Sequence, residues 1–122
     1  VAERVRFAPP VDREGLVRLY SGAAALAHPS LMEGFGNPLA EAMACGCPVV
    51  TSDRSAMPEV TGGAALLVDP TDVEGLATAL RRVTSDPVLA SELRAKGLAR
   101  AAQLSWRAFA EANVAIYREL LA

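Results

Sequence analysis

An α/β fold, with a parallel sheet, flanking helices and a helical C-terminal tail, is what this sequence predicts. Three observations carry it. Apolar runs at Ala23–Pro29, Pro48–Ser52 and Ala64–Val68 are too short for helices and are bounded by turn residues, as buried strands are. Helix-starting signals stand between or after them, so strands and helices alternate. Gly-Phe-Gly at 34–36 follows the first of these runs and precedes a helix, which puts a glycine loop at the carboxyl end of a strand, where open α/β sheets hold ligands.

Taken in order, Arg4 to Ala8 alternates around Val5 and Phe7 and is predicted as a short strand that Pro9 and Pro10 end. Asp12 caps a helix to about Ser21, with Leu16, Leu19, Tyr20 and Ala23 on its apolar face. The strand at Ala23–Pro29 delivers His28, Pro29 and Ser30 to the loop. His28 is the sole histidine and is read as structural, because no carboxylate has a matching spacing; Ser30 supports the loop by hydrogen bonding. After Pro48–Ser52, residues 53–59 turn into a brief helix that Gly62-Gly63 ends. Arg54 is read as solvated there and Glu59 as structural. Thr71 with Glu74 forms a capping box for a helix to about Thr84, and Asp86-Pro87 starts another to about Gln103. Ser105 caps the last, with Trp106, Phe109, Ala110, Asn113, Ile116, Tyr117 and Leu120 along one side and Trp106 as core packing.

The informative stretch is Glu33 to Gly46, E-G-F-G-N-P-L-A-E-A-M-A-C-G. Asn37 suits the N-cap, Pro38 the first helical position, and Gly46 the helix end. Gly34 and Gly36 let backbone N–H groups approach a ligand, and the free N–H groups at Leu39 and Ala40 point the same way (Pro38 has none). The helix dipole adds about 0.3–1 kcal/mol for an anion at an exposed end, which helps hold a phosphate without creating a site. Glu33 and Glu41, eight positions apart, flank this helix start. A carboxylate accepts two hydroxyl hydrogen bonds, which suits the vicinal diol of a ribose or hexose. An anion-binding helix start with an acid on either side reads as a nucleotide-sugar site; the plain alternative is a surface loop and a solvated helix.

Composition bounds the rest. A chain of 122 residues, 52% hydrophobic, fits one domain with a real core. A net charge of −2 without a basic run argues against nucleic-acid binding. No apolar stretch approaches the roughly 18 residues of a membrane span. Cys45 and Cys47 flank Gly46, where a disulfide would be strained, and no Cys/His cluster completes a zinc site, so both are read as buried free thiols in a reducing cytoplasm. The bias of arginine over lysine leans toward a GC-rich bacterial source. Val1 in place of methionine, with a strand-like start, reads as a fragment of a longer protein.

The string P-S-L-M-E-G-F-G-N-P-L-A-E-A-M-A-C-G-C-P-V-V-T-S, continued by Ser55 to Val60, Ala64 to Pro70 and Ser105-Trp106, resembles retaining group 1 (family 4-like) glycosyltransferases of the GT-B fold. Their E-x7-E motif maps onto Glu33 and Glu41. The resemblance implies that residues 1–122 are part of a Rossmann-like C-terminal domain that binds the nucleotide-sugar donor, N-terminally truncated. It implies Glu33 as the catalytic residue, contacting the transferred sugar, and Gly34, Phe35, Gly36, Asn37, Pro38, Leu39 and Glu41 as donor contacts, with Glu41 on the ribose hydroxyls. Val11 joins them through the turn at Pro10–Arg13, which in the family lies against the nucleobase. No metal and no other cofactor is implied.

The resemblance further implies that the glycine loop and the Arg/Lys pair that neutralises the donor diphosphate precede Val1, as does the acceptor domain. This chain alone is then expected to be inactive and to associate through an exposed sheet edge. The location expected is the cytoplasm, peripheral at the membrane where the preceding domain docks there. Two rival readings stand beside this one. A glycoside hydrolase would use both carboxylates as acid and base, about 5–5.5 or 6.5–9.5 Å apart, but would leave the glycine loop without a purpose. A non-catalytic sugar-nucleotide-binding or interaction module could retain the same fold.

Overall fold

The three apolar runs form three strands. β1 (Leu26–His28), β2 (Val49–Ser52) and β3 (Ala65–Val68) pair in parallel in that order in the computed structural model, which describes residues 2–121. The register sets His28 beside Thr51, and Thr51 beside Leu67, so the three carboxyl ends lie level along one rim. β2 lies between the others and every one of its residues is buried. That is why it reads as a continuous apolar run and not as an alternation.

Helices cover both faces. α1 spans Arg13–Gly22, α2 Asn37–Ala44, α3 Met57–Thr61, α4 Val73–Ser85, α5 Pro87–Ala101 and α6 Trp106–Leu121. Val49 packs with Leu39, Ala42 and Met43 of α2 and Met57 and Val60 of α3. Val50 packs on the opposite side with Ala79 and Val83 of α4 and Leu93 of α5. Two layers of side chains therefore share β2 as their common wall. Each fully buried Leu, Val or Met contributes roughly 1.5–3 kcal/mol. α5 reaches α2 closely because Gly97 has no side chain: a Cβ there would stand 3.3 Å from Met43 Cγ.

Caps follow side-chain chemistry. Asp12 Oδ1 accepts the Gly15 N–H at 2.8 Å, Asp86 Oδ1 accepts those of Val88 and Leu89 at 3.0 Å, and Ser105 accepts that of Ala108 at 3.1 Å. The helix at 73 corrects the expected capping box. Asp72 is its cap, accepting the Gly75 N–H at 2.9 Å, while the Thr71 hydroxyl donates to Asp69. α2 and α3 end at Gly46 and Gly62, both left-handed, where the sequence placed their ends.

Two further expectations fail. Arg4 to Ala8 is no strand: Ala2–Arg4 is a 3-10 turn, the residues after it are irregular, and Phe7 is 97% exposed. Alternation makes a strand only when a neighbour supplies the hydrogen-bond ladder, and neither β1, β2 nor β3 pairs with this segment. Trp106 is 85% exposed, with the Phe109 ring edge-on at a centroid distance of 6.0 Å, so it is not core packing. No residue of α6 is buried, and Leu19 of α1 is also exposed. No described helix is long and apolar enough to cross a membrane.

Cys45 and Cys47 are free thiols, and Cys47 is buried with Sγ 3.5 Å from the Pro48 carbonyl oxygen. Burial pushes the Cys47 thiol up from its ordinary value, and the backbone of Leu26 only partly offsets this. Since the thiolate is the reactive form, Cys47 is expected to react with a disulfide reagent at pH 8 at least about tenfold more slowly than half-buried Cys45. Equal rates, read by mass spectrometry of the modified peptides, would contradict this placement.

Candidate functional site

The rim formed by the carboxyl ends of β1 and β2 leads into the loops that carry Glu33 and Ser55. β1 ends at His28, and the chain turns at once, with the Ser30 N–H on the His28 carbonyl at 2.9 Å and the Ser30 hydroxyl on the Met32 carbonyl at 3.1 Å. Ser30 thus supports the loop as expected. Glu33 follows, half-buried, with Oε1 3.0 Å from His28 Nε2. An ionised carboxylate can only accept, so Nε2 is the donor. Reading His28 as lacking a carboxylate partner is therefore corrected: the turn at Pro29 folds Glu33 back onto the ring. Among the described residues Oε2 accepts no protein hydrogen bond, and it remains able to take a ligand hydroxyl.

The backbone of Glu33 is held from the neighbouring loop. The Ser55 hydroxyl donates to the Glu33 carbonyl at 2.9 Å and stands 3.2 Å from the Glu33 N–H, which donates to it. Ser55 has φ +56°, in the left-handed region. Arg54 is exposed, as expected of a solvated arginine, and is also paired: its guanidinium lies 2.8 Å from Asp69 Oδ2. The Thr71 hydroxyl and N–H, followed by that guanidinium, hold the Asp69 carboxyl below its ordinary value.

The helix start differs from the expectation in one respect. Gly36, not Asn37, is the N-cap, with φ +88°, a conformation that glycine alone adopts at no steric cost. Its carbonyl accepts the Leu39 N–H at 2.9 Å, so that N–H, counted as free in the sequence, is engaged. Asn37 makes no side-chain cap bond, and both it and Pro38 lie inside the first turn. Leu39 is wholly buried and anchors the loop; a Cβ on Gly36 would stand 3.2 Å from Leu39 Cδ1. Gly34, Phe35 and Asn37 are exposed.

Glu41 is exposed on α2 and receives a long hydrogen bond, 3.4 Å, from the Tyr20 hydroxyl of α1. Burial, then the charge of Glu41, pushes the Tyr20 phenol up. Val11 lies partly exposed at the start of α1, beside Gly15. The structure therefore joins Glu33 to the strand rim and Glu41, inside α2, to α1. Two shallow hollows, one between β3 and α4 and one between Gly62–Ala64 and α5, are lined by neither glutamate. No group of three or more His, Cys, Asp or Glu able to hold a metal gathers among the described residues.

His28 and Ser55 are the residues that sequence reasoning missed. The signal for Ser55 was topological: loops leaving neighbouring parallel strands share one rim. For His28 it was the turn-forming Pro29 between ring and acid.

Residues 1–86 match the family described as Glycosyl transferases group 1. The chain belongs to this family. This group 1 glycosyl transferase chain is 38% identical over 116 residues to the O-antigen chain mannosyltransferase B of Escherichia coli, covering 95% of the chain and 30% of that protein. It is 36% identical over 126 residues to the MMP alpha-(1->4)-mannosyltransferase of Mycolicibacterium hassiacum, covering 100% and 31%. Among solved structures it is similar to the sucrose-phosphate synthase of Thermosynechococcus elongatus, with a TM-score of 0.86 and 37% identity over 98% of the chain and 31% of that protein. The fold is the Rossmann-like α/β arrangement of the GT-B type that the sequence implied. The chain spans about 30% of the length of these relatives.

Proposed function

We propose that this chain is the donor-binding part of a longer retaining glycosyltransferase that moves a hexose from a nucleoside diphosphate sugar to an acceptor hydroxyl. The observation that supports it best is the Gly36-capped start of α2 standing between Glu33 and Glu41 along the chain, with Glu33 Oε2 left without a protein partner among the described residues. In this reading the loop at 34–37 and the start of α2 face the diphosphate, and Glu41 accepts from the ribose hydroxyls. Glu33 contacts the transferred sugar and stabilises the positive charge that develops at its anomeric carbon. Val11 packs near the base. The reaction needs no metal, and the protein works in the cytoplasm. Because relatives of the chain are named mannosyltransferases, a mannose donor is the first to try.

The test is calorimetric titration of the full-length protein with GDP-mannose and UDP-glucose, with sugar release measured alongside. Micromolar to millimolar binding with turnover supports the reading, binding without turnover favours a binding module, and neither removes it.

The activity belongs to the longer chain in this reading, because the diphosphate also needs cationic partners. Residues 1–122 alone are expected to transfer no sugar and to self-associate through the strand edges that β1 and β3 leave open. Sedimentation velocity checks the second point: a single monomeric species at tens of micromolar would contradict it.

A further inference from the structure

We propose that His28 and Ser55 are positioning residues that orient the Glu33 carboxylate, the ring fixing its side chain and the hydroxyl its backbone; this rests on the reading of Glu33 as the sugar-contacting acid. His28 Nε2 lies 3.0 Å from Oε1, and a single bond of this kind leaves Oε2 as the oxygen available to a sugar. The backbone that carries the ring is itself held, since the Thr51 hydroxyl donates to the His28 carbonyl at 2.8 Å and fixes the end of β1. Ser55 engages both backbone polar groups of Glu33, at 2.9 and 3.2 Å, from a sequence distance of 22 residues.

The backbone of Ser55 shows that this clamp is held against a cost. A non-glycine residue in the left-handed region carries backbone strain and persists where its surroundings over-determine it. Here the surroundings are the two hydrogen bonds to Glu33. A tie between loops would serve any residue at 33; the ring contact is made to the carboxylate and so depends on the acid. Orientation matters because a misplacement of about 1 Å at a reacting group costs on the order of a hundredfold in rate.

The experiment uses the full-length protein with GDP-mannose and UDP-glucose as donor probes, reading slow donor hydrolysis without acceptor. His28→Leu is expected to lower kcat about tenfold with donor KM within about twofold, and His28→Gln, which can still donate to Oε1, to recover most of it. Ser55→Gly removes the hydroxyl while relieving the left-handed strain, and is expected to lower kcat several-fold without lowering the melting temperature. In parallel, the imidazole nitrogen signals that disappear in His28→Gln are expected to report the Nε2-protonated tautomer, to lose that preference in Glu33→Ala, and to shift on saturation with donor.

Wild-type kcat in both His28→Leu and Ser55→Gly, beside a severe loss in Glu33→Ala, would overturn the proposal and leave the role of Glu33 standing. Full hydrolysis by Glu33→Ala would remove the role of Glu33 itself. If neither donor is hydrolysed, the nitrogen signals decide: no tautomer preference, or no donor-induced shift, overturns the proposal.

Discussion

Replacing Glu33 by alanine in the full-length protein is expected to lower kcat by about a hundredfold or more while donor KM changes by less than about threefold. The physical reason is where the charge is needed. A carboxylate beside the anomeric carbon gains most when positive charge appears there, and removing one preorganised electrostatic group of this kind typically costs about 10²–10³ in turnover. Its half-buried position, with one oxygen on His28, keeps that charge oriented before the sugar arrives. Glu41 is expected to behave oppositely. It is exposed, its side chain accepts among the described residues only the long bond from the Tyr20 hydroxyl, and ribose hydroxyls carry no more charge in the transition state than in the ground state. Charge-assisted hydrogen bonds are worth about 1.5–3 kcal/mol, so Glu41→Ala should weaken donor binding roughly 10- to 100-fold and leave kcat close to wild type. Steady-state kinetics with varied donor separate the two; a matched fall in both parameters for both variants would undo the division of roles.

How far the sequence discloses this molecule depends on whether a signal is local. Asp12, Asp86 and Ser105 act through N–H groups two or three residues away, and each caps its helix as the sequence implies. The run 48–52 is apolar because β2 is walled on both sides, a property of the strand itself. Thr71 misleads because Asp72, one residue on, offers a stronger acceptor to the same helix start. Asn37 misleads similarly: Gly36 enters the helix in a left-handed conformation, and the cap becomes a backbone group that no side-chain pattern reveals. Val5 and Phe7 carry a strand pattern, yet a strand is a property of pairs, and its partner cannot be read from the pattern. Trp106 and the α6 stripe likewise show which face is apolar, not whether anything covers it. Of the candidate site, both glutamates and the glycine loop are named by a local motif; the ring and hydroxyl that hold Glu33 are not, because their closeness follows from chain reversal and strand order.

Leu39→Ala is expected to destabilise the fold by about 3 kcal/mol, with a fall in melting temperature of roughly 10 °C. Leu39 is 0% exposed, packs with Met43, Val49 and Met57, and stands under Gly36 at the start of α2. Cutting its isobutyl side chain back to a methyl removes apolar burial and leaves a cavity at the point where the candidate site rests on the core. Two other apolar truncations make the contrast. Phe7→Ala and Trp106→Ala remove larger side chains, but both positions lie in water, so each should change stability by less than about 0.5 kcal/mol. The three variants together decide between the observed arrangement and the one that the sequence pattern favoured, in which Phe7 joins a sheet and Trp106 the core. Urea denaturation followed by circular dichroism supplies the measurement. A loss for Phe7→Ala or Trp106→Ala equal to that of Leu39→Ala would mean that those faces are buried in solution.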